Sequence, residues 1–247
     1  MGDLGWLTAR PVAHRGFHDA ARGIIENAPS AMDAAVARGY AIELDIQASA
    51  DGEAMVFHDF TLDRLTEATG PLAARTAAEI GRILFRGTSD PILTLSQVMA
   101  RVRGQVPLVI EIKSAFTGDT RLAARAAQLV CAYAGPAALM SFDPQMLVEV
   151  RRQAPSLPRG IVAEGRYEEA EWPRISRREG VVLANLLHWP RTRFQFVNYR
   201  VADLDRPAVR IARAVGLPVL TWTVRTAEDR ARAARGADQM VFEGFAP

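Results

Sequence analysis

"AIELDIQ", residues 41–47, alternates without a break: Ile42, Leu44 and Ile46 fall on one face of an extended strand, Glu43, Asp45 and Gln47 on the other. "VIEIK", residues 109–113, repeats the arrangement, with Glu111 and Lys113 opposite Ile110 and Ile112. Strands of a closed parallel barrel explain both. Their apolar face packs on surrounding helices and the polar face looks inward, where carboxylates are costly unless a cation holds them.

Working outward, the same extended character recurs in "PVAHRG" (11–16), "AALMSFD" (137–143), "RGIVAEG" (159–165), "FQFVNYR" (194–200), "PVLTWTVR" (218–225) and "QMVFEG" (239–244). Helical patterns separate them. "APSAMDAAVARG" (28–39) has Pro29 in its first turn and Gly39 as terminator. "DTRLAARAAQLVCAYAG" (119–135) puts Leu122, Ala126, Leu129, Val130 and Tyr133 at helical spacing. "PAVRIARAVG" (207–216) repeats that design, and "TAEDRARAARG" (226–236) opens with Thr226 and Asp229 at capping-box spacing. Eight extended runs alternating with helices predict an α/β fold, a TIM (β/α)8 barrel formed by residues 1–247 as one domain. A doubly wound open sheet is the alternative, but no glycine-rich dinucleotide fingerprint follows the first strand.

One connection breaks the alternation. "ASADG" (48–52) is too short for a parallel crossover, so the chain turns back as a hairpin and returns His58 toward Asp45. Residues 59–96 then exceed an ordinary barrel loop and predict a small inserted cap over the barrel mouth. "VVLANLLHWP" (181–190) reads equally as a strand or a short buried helix.

The 247 residues are 49% hydrophobic with a net charge of +2 and no basic run interleaved with aromatics, which argues against a nucleic-acid partner. A single cysteine, Cys131 within an apolar helical pattern, excludes a disulfide framework and suits a reducing compartment. No apolar leader is visible in "MGDLGWLTARPV" and no apolar run is long enough to span a bilayer, so the expectation is a cytoplasmic protein without stable membrane insertion. A monomer and a homo-oligomer are both compatible with it. Thirty basic side chains include one lysine, Lys113; its survival in so arginine-rich a chain points to a place that needs a compact ammonium.

Glu43, Asp45 and Glu111 at the ends of two strands make an oxygen-rich site suited to Mg²⁺ or Ca²⁺ rather than zinc. The alternative is internal salt bridging to Lys113 and Arg15 with no metal. Of four histidines, His14 and His58 sit where strands end, beside those carboxylates, and suit acid/base work at phosphorus. Arg15 and Lys113 would take nonbridging phosphate oxygens. His18 and His188 are expected to pack or lie at the rim.

"HRG" (14–16), "EN" (26–27), "ELD" (43–45), "HD" (58–59) and "EIK" (111–113), followed by "LDRLTEATG" (62–70), "SFD" (141–143) and "TWTV" (221–224), resemble the glycerophosphodiester phosphodiesterases in residue type and order over essentially the whole chain. The resemblance implies hydrolysis of glycerophosphodiesters to sn-glycerol 3-phosphate and an alcohol, with one divalent cation on Glu43, Asp45 and Glu111. It implies His14 and His58 as the acid/base pair, acting through a cyclic phosphate that water then opens. His14 is assigned as first-step base and His58 as first-step acid. Glu26 would orient Arg15 or a substrate hydroxyl, or else serve as a charge ahead of the Pro29 helix. Phe142 and Trp222 would wall the glycerol carbons, with core packing the alternative for Trp222. Ile25, Ala28 and the terminal "VFEG" depart from the family pattern. Competing readings are a lysophospholipase D-like or sugar-phosphodiester enzyme on the same scaffold, a noncatalytic phosphodiester-binding barrel, and a metal-dependent aldolase barrel. The last gives no reason for two histidines at the mouth.

Overall fold

In a computed structural model, which describes residues 4–247, the alternating runs close into a barrel. The first three residues of the N-terminal stretch, where no apolar leader was expected, lie outside the described part. A short helix α1 (Gly5–Thr8) precedes strand β1 (Val12–Ala13), helix α2 (Pro29–Arg38), strand β2 (Ala41–Ala48) and strand β3 (Ala54–Val56). Helices α3 (Ala77–Ile80) and α4 (Leu95–Val102) lead to β4 (Leu108–Ile112), α5 (Arg121–Cys131), β5 (Ala137–Ser141), α6 (Pro144–Gln153) and β6 (Arg159–Ala163). Helices α7 (Arg177–Ala184) and α8 (Trp189–Thr192), β7 (Phe196–Arg200), α9 (Pro207–Ala214), β8 (Val219–Val224), α10 (Ala227–Gly236) and β9 (Gln239–Phe242) complete the chain.

All strands except β3 pair in parallel in the order β1-β2-β4-β5-β6-β7-β8-β9, and β9 returns to β1 with Val12 opposite Val241. This is the eight-stranded (β/α)8 barrel read from the sequence. β3 is the predicted hairpin: it runs antiparallel to β2, with Ile46 opposite Val56. The expected alternation holds. Ile42, Leu44 and Ile46 join the layer between strands and helices, whereas Ala41, Val109, Met140, Phe196 and Leu220 fill the barrel interior with Leu7 of α1. Gly160 makes room there, since a Cβ on it would lie 2.2 Å from the Phe196 ring.

Local signals act where they were read. Thr226 and Asp229 form a reciprocal capping box, and Gly39 ends α2 with φ +69°. Two details differ and one open reading is decided. Helix α5 stops at Cys131, which is exposed; Tyr133 lies past its end, where the hydroxyl accepts the Gly104 N–H at 2.7 Å. "VVLANLLHWP" is helical, forming the end of α7 and the turn into α8. Between β3 and α4 the chain builds a satellite core of Phe57, Leu62, Leu72, Ile80 and Phe85, but α4 starts at Leu95. The last two residues of the expected 59–96 insertion are therefore barrel helix, because Thr94 and Gln97 make a capping box there. Among the described residues, no helix is long and apolar enough to cross a membrane.

Candidate active site

β1 hydrogen-bonds to the edge of β2 only as far as Ile42, and β3 takes up that edge only from Ile46. The interval contains Glu43 and Asp45, and residues 14–27 fill it. Arg15 and Gly16 turn through positive φ (+55° and +80°), which only glycine tolerates at 16, because a Cβ would lie 2.9 Å from the Ala31 backbone. The turn aims the Gly16 N–H at the Glu43 carbonyl (3.1 Å) and the Arg15 N–H at Glu43 Oε2 (2.9 Å). Asn27, also at positive φ (+59°), donates from Nδ2 to Asp45 Oδ2 (2.9 Å) and accepts the Asp45 N–H at 3.2 Å. The "HRG" and "EN" segments are thus the missing piece of barrel wall behind two inward carboxylates.

Glu43, Asp45 and Glu111 are buried, and each offers an oxygen within 4.8 Å of the others. Lys113 Nζ bridges Asp45 Oδ1 (2.9 Å) and Glu111 Oε1 (2.7 Å), while Arg15 Nε lies 3.2 Å from Asp45 Oδ2. Burial opposes ionisation of Asp45, but Lys113 and Arg15 outweigh it and hold its carboxyl far below the usual range. Glu43 goes the other way. Burial, then Asp45 and Glu111, push it well above the ordinary carboxylate value, and Arg15 only partly offsets them. The salt bridges weighed as an alternative to a metal therefore exist, yet two cations face three carboxylates. An all-oxygen donor set that is short of positive charge fits a hard divalent cation.

Each mouth histidine is held by a carboxylate that an arginine holds in turn. His14 Nδ1 lies 2.5 Å from Glu243 Oε2, just past β9, and Arg225 Nε donates to Glu243 Oε1 at 2.5 Å. His58 Nδ1 lies 2.7 Å from Asp59 Oδ1, and Arg64 clamps Asp59 from Nε (2.6 Å) and Nη2 (2.9 Å). In both, Nδ1 is taken and Nε2 is left for the cleft. Burial, reinforced by Arg15, lowers the His14 pKa despite Glu243, so the neutral imidazole predominates near neutrality. Burial works against the Glu243 charge, but its contacts with His14, His18 and Arg225 hold the carboxyl strongly ionised.

His14, Arg15, Glu43, Asp45, His58, Glu111, Lys113, Phe142 and Trp222 all line one cleft of about 470 Å³ at the C-terminal mouth of the barrel. Larger depressions beside α7 hold no such constellation. Glu26 does not line the cleft. It stands behind Arg15, accepting Nη1 at 2.6 Å, and receives two further bonds from Arg64; of the roles considered, bracing Arg15 is the one its contacts fit. His18 Nε2 is 3.7 Å from Glu243 Oε2, and His188 is buried against Phe194. Trp222 meets Phe142 edge-on (5.4 Å between centroids), and Phe142 stacks obliquely on Trp172. Trp222 Nε1 and Asn198 Oδ1 are buried in the cleft lining without a hydrogen-bond partner. Sequence reasoning missed Glu243, Arg225, Arg64, Asn27 and Trp172. Of these, Asn27 and Arg64 lay inside quoted motifs and offered a signal; Trp172, in an irregular loop, offered none.

The sequence model of the glycerophosphoryl diester phosphodiesterase family matches residues 14–242. A glycerophosphodiester phosphodiesterase of Caldanaerobacter subterraneus is 28% identical over 245 residues, 94% of this chain and 93% of that protein. YhdW of Bacillus subtilis is 26% identical over 244 residues, with the same coverage of both chains. Among solved structures, an Oleispira antarctica phosphodiesterase in complex with its product sn-glycerol 3-phosphate superposes with a TM-score of 0.77 at 20% identity, covering 96% of this chain and 94% of that one.

Proposed function

The chain belongs to the glycerophosphoryl diester phosphodiesterase family, and on that premise we propose that it hydrolyses soluble glycerophosphodiesters to sn-glycerol 3-phosphate and an alcohol. One observation carries the reading: two carboxylate-backed histidines line the same cleft as a buried, charge-deficient cluster of three carboxylates. Glu43, Asp45 and Glu111 would hold a divalent cation, Mg²⁺ or Ca²⁺, which when bound supplies charge stabilisation to the phosphate oxygens. Arg15 and Lys113 reach the same cleft with cationic groups for nonbridging oxygens, and Glu26 fixes the Arg15 fork.

His14, neutral near pH 7, takes the proton of the attacking glycerol hydroxyl at Nε2, and Glu243 stabilises the imidazolium as it forms. His58 gives a proton from Nε2 to the departing alkoxide, then exchanges roles with His14 when water opens the cyclic phosphate. Phe142 and Trp222 face the glycerol carbons. Trp222 Nε1 and Asn198 Oδ1 are an unpaired donor and acceptor suited to hydroxyl groups. The 59–94 segment serves as a cap, contributing Asp59 and Phe60 to the cleft and tying itself to the barrel through Arg64.

Release of glycerol 3-phosphate from glycerophosphocholine and glycerophosphoethanolamine, with Mg²⁺, Ca²⁺ or EDTA, tests the proposal. His14→Ala and His58→Ala should each lower kcat by about 10²–10⁴-fold while remaining folded. Release unaffected by EDTA, or full activity in either variant, would overturn the assignment.

A further inference from the structure

Eight large apolar side chains are exposed among the described residues, and four fall within 181–189: Val181 (55% exposed), Val182 (39%), Leu187 (62%) and Trp189 (40%). They sit on α7, α8 and the turn between them. Val182 and Leu187 line a groove of about 550 Å³ that Arg174, Arg178 and Arg191 also border. Clustered apolar exposure of this kind marks a contact surface.

Charge says what the surface meets. Residues 173–195 carry five arginines (174, 177, 178, 191 and 193) against one acid, Glu179. Glu179 is engaged in the capping box of α7, accepting the Ser176 N–H at 2.9 Å and hydroxyl at 2.6 Å. None of the five arginines forms an ion pair among the described residues. The Arg193 guanidinium carbon sits over the Trp189 ring, 4.3 Å from its centroid, and Trp189 Nε1 donates to the Phe194 carbonyl at 3.2 Å. The indole is therefore held with its polar atom satisfied while part of the ring stays exposed, an arrangement that suits a headgroup boundary. Glu168, Glu169 and Glu171 precede this stretch, and Glu171 faces the catalytic cleft. A second copy of the chain docking symmetrically would set arginines against arginines.

We propose that the α7–α8 face docks peripherally on an anionic lipid surface: Val182, Leu187 and Trp189 enter the headgroup boundary while Arg178 and Arg191 meet lipid phosphates. Phe116 lines both this groove and the catalytic cleft, so docking places the cleft beside the membrane. The inference is independent of which diester is cleaved.

Co-sedimentation of the whole chain with two vesicle types tests it: phosphatidylcholine alone, and an equimolar mixture with phosphatidylglycerol. Binding should require phosphatidylglycerol and weaken steeply between about 0.1 M and about 1 M salt. Arg178→Gln with Arg191→Gln should lower affinity roughly 25-fold, about fivefold for each arginine. Val182→Ser with Leu187→Ser should abolish binding. Both double variants should hydrolyse soluble diesters at the wild-type rate. No binding of the wild-type chain to anionic vesicles overturns the proposal, as does binding that survives the serine pair. A dimer seen by light scattering that the serine pair dissolves, without vesicle binding, would assign the face to a second copy and overturn it equally.

Discussion

Glu243→Gln isolates the charge behind His14. The amide keeps the side-chain length, and its oxygen still accepts from Nδ1, so the ring stays in place while the negative charge disappears. A hydrogen bond to a charged partner contributes about 1.5–3 kcal/mol and a neutral one about 0.5–1.5 kcal/mol, a difference of about 1–1.5 kcal/mol. On the proposed mechanism that difference matters most when His14 becomes an imidazolium in the transition state. It corresponds to a roughly 5- to 13-fold loss of kcat. The limit is set by deleting the imidazole, about 10²–10⁴-fold. Arg225, which donates to the other carboxylate oxygen at 2.5 Å, loses its partner as well, so Arg225→Gln should show a smaller loss of the same kind. Steady-state kinetics on glycerophosphocholine at saturating metal should find kcat lowered and KM held within about twofold, the pattern of an interaction made in the transition state. Wild-type kcat in Glu243→Gln, or a change confined to KM, would refute the reasoning.

Two further outcomes follow from buried charge. Glu43→Gln removes the carboxyl that burial, then Asp45 and Glu111, push upward, so the metal-free protein should melt higher. The rise on adding Mg²⁺ or Ca²⁺, roughly 5–10 °C at a hundredfold excess over Kd, should shrink toward zero in thermal scans, and an undiminished rise would exclude Glu43 as a ligand. His188 is held neutral, its pKa lowered to about 4 by burial and by Arg191. The unfolded chain, with an ordinary histidine near 6.5, then binds the extra proton first. Stability is therefore present above about pH 6.5 and is lost as pH falls toward 4, about 2 kcal/mol of it between pH 7 and 5. Urea midpoints of His188→Leu against wild type at those two pH values should show a flatter dependence in the variant; parallel curves would contradict the burial.

The barrel was legible because its strands carry their own evidence. "AIELDIQ" and "VIEIK" name their inward face by alternation, and "ASADG" is too short to be anything but a hairpin. The carboxylates and mouth histidines were legible for the same reason, standing at strand ends where a barrel gathers its chemistry. What stayed hidden depends on distance along the chain. Glu243 is 229 residues from His14, and nothing in "VFEG" marks the glutamate as its partner. Trp172 reaches the cleft from an irregular loop, where no period fixes direction. "VVLANLLHWP" was ambiguous because a helix that leaves apolar residues in water breaks the periodic rule by which helices are recognised.

The pairing of β9 with β1 has a consequence for the timing of activity. A chain emerging from the ribosome presents His14, the carboxylate strands and His58 before Glu243, which holds His14 and follows every strand of the barrel. Parallel closure over so long a loop is among the slower events available to a folding chain. A nascent or C-terminally nicked molecule would thus hold most of the cation site and both imidazoles, yet leave His14 unsupported. On the proposed mechanism, hydrolysis at the full rate would then report on ring closure.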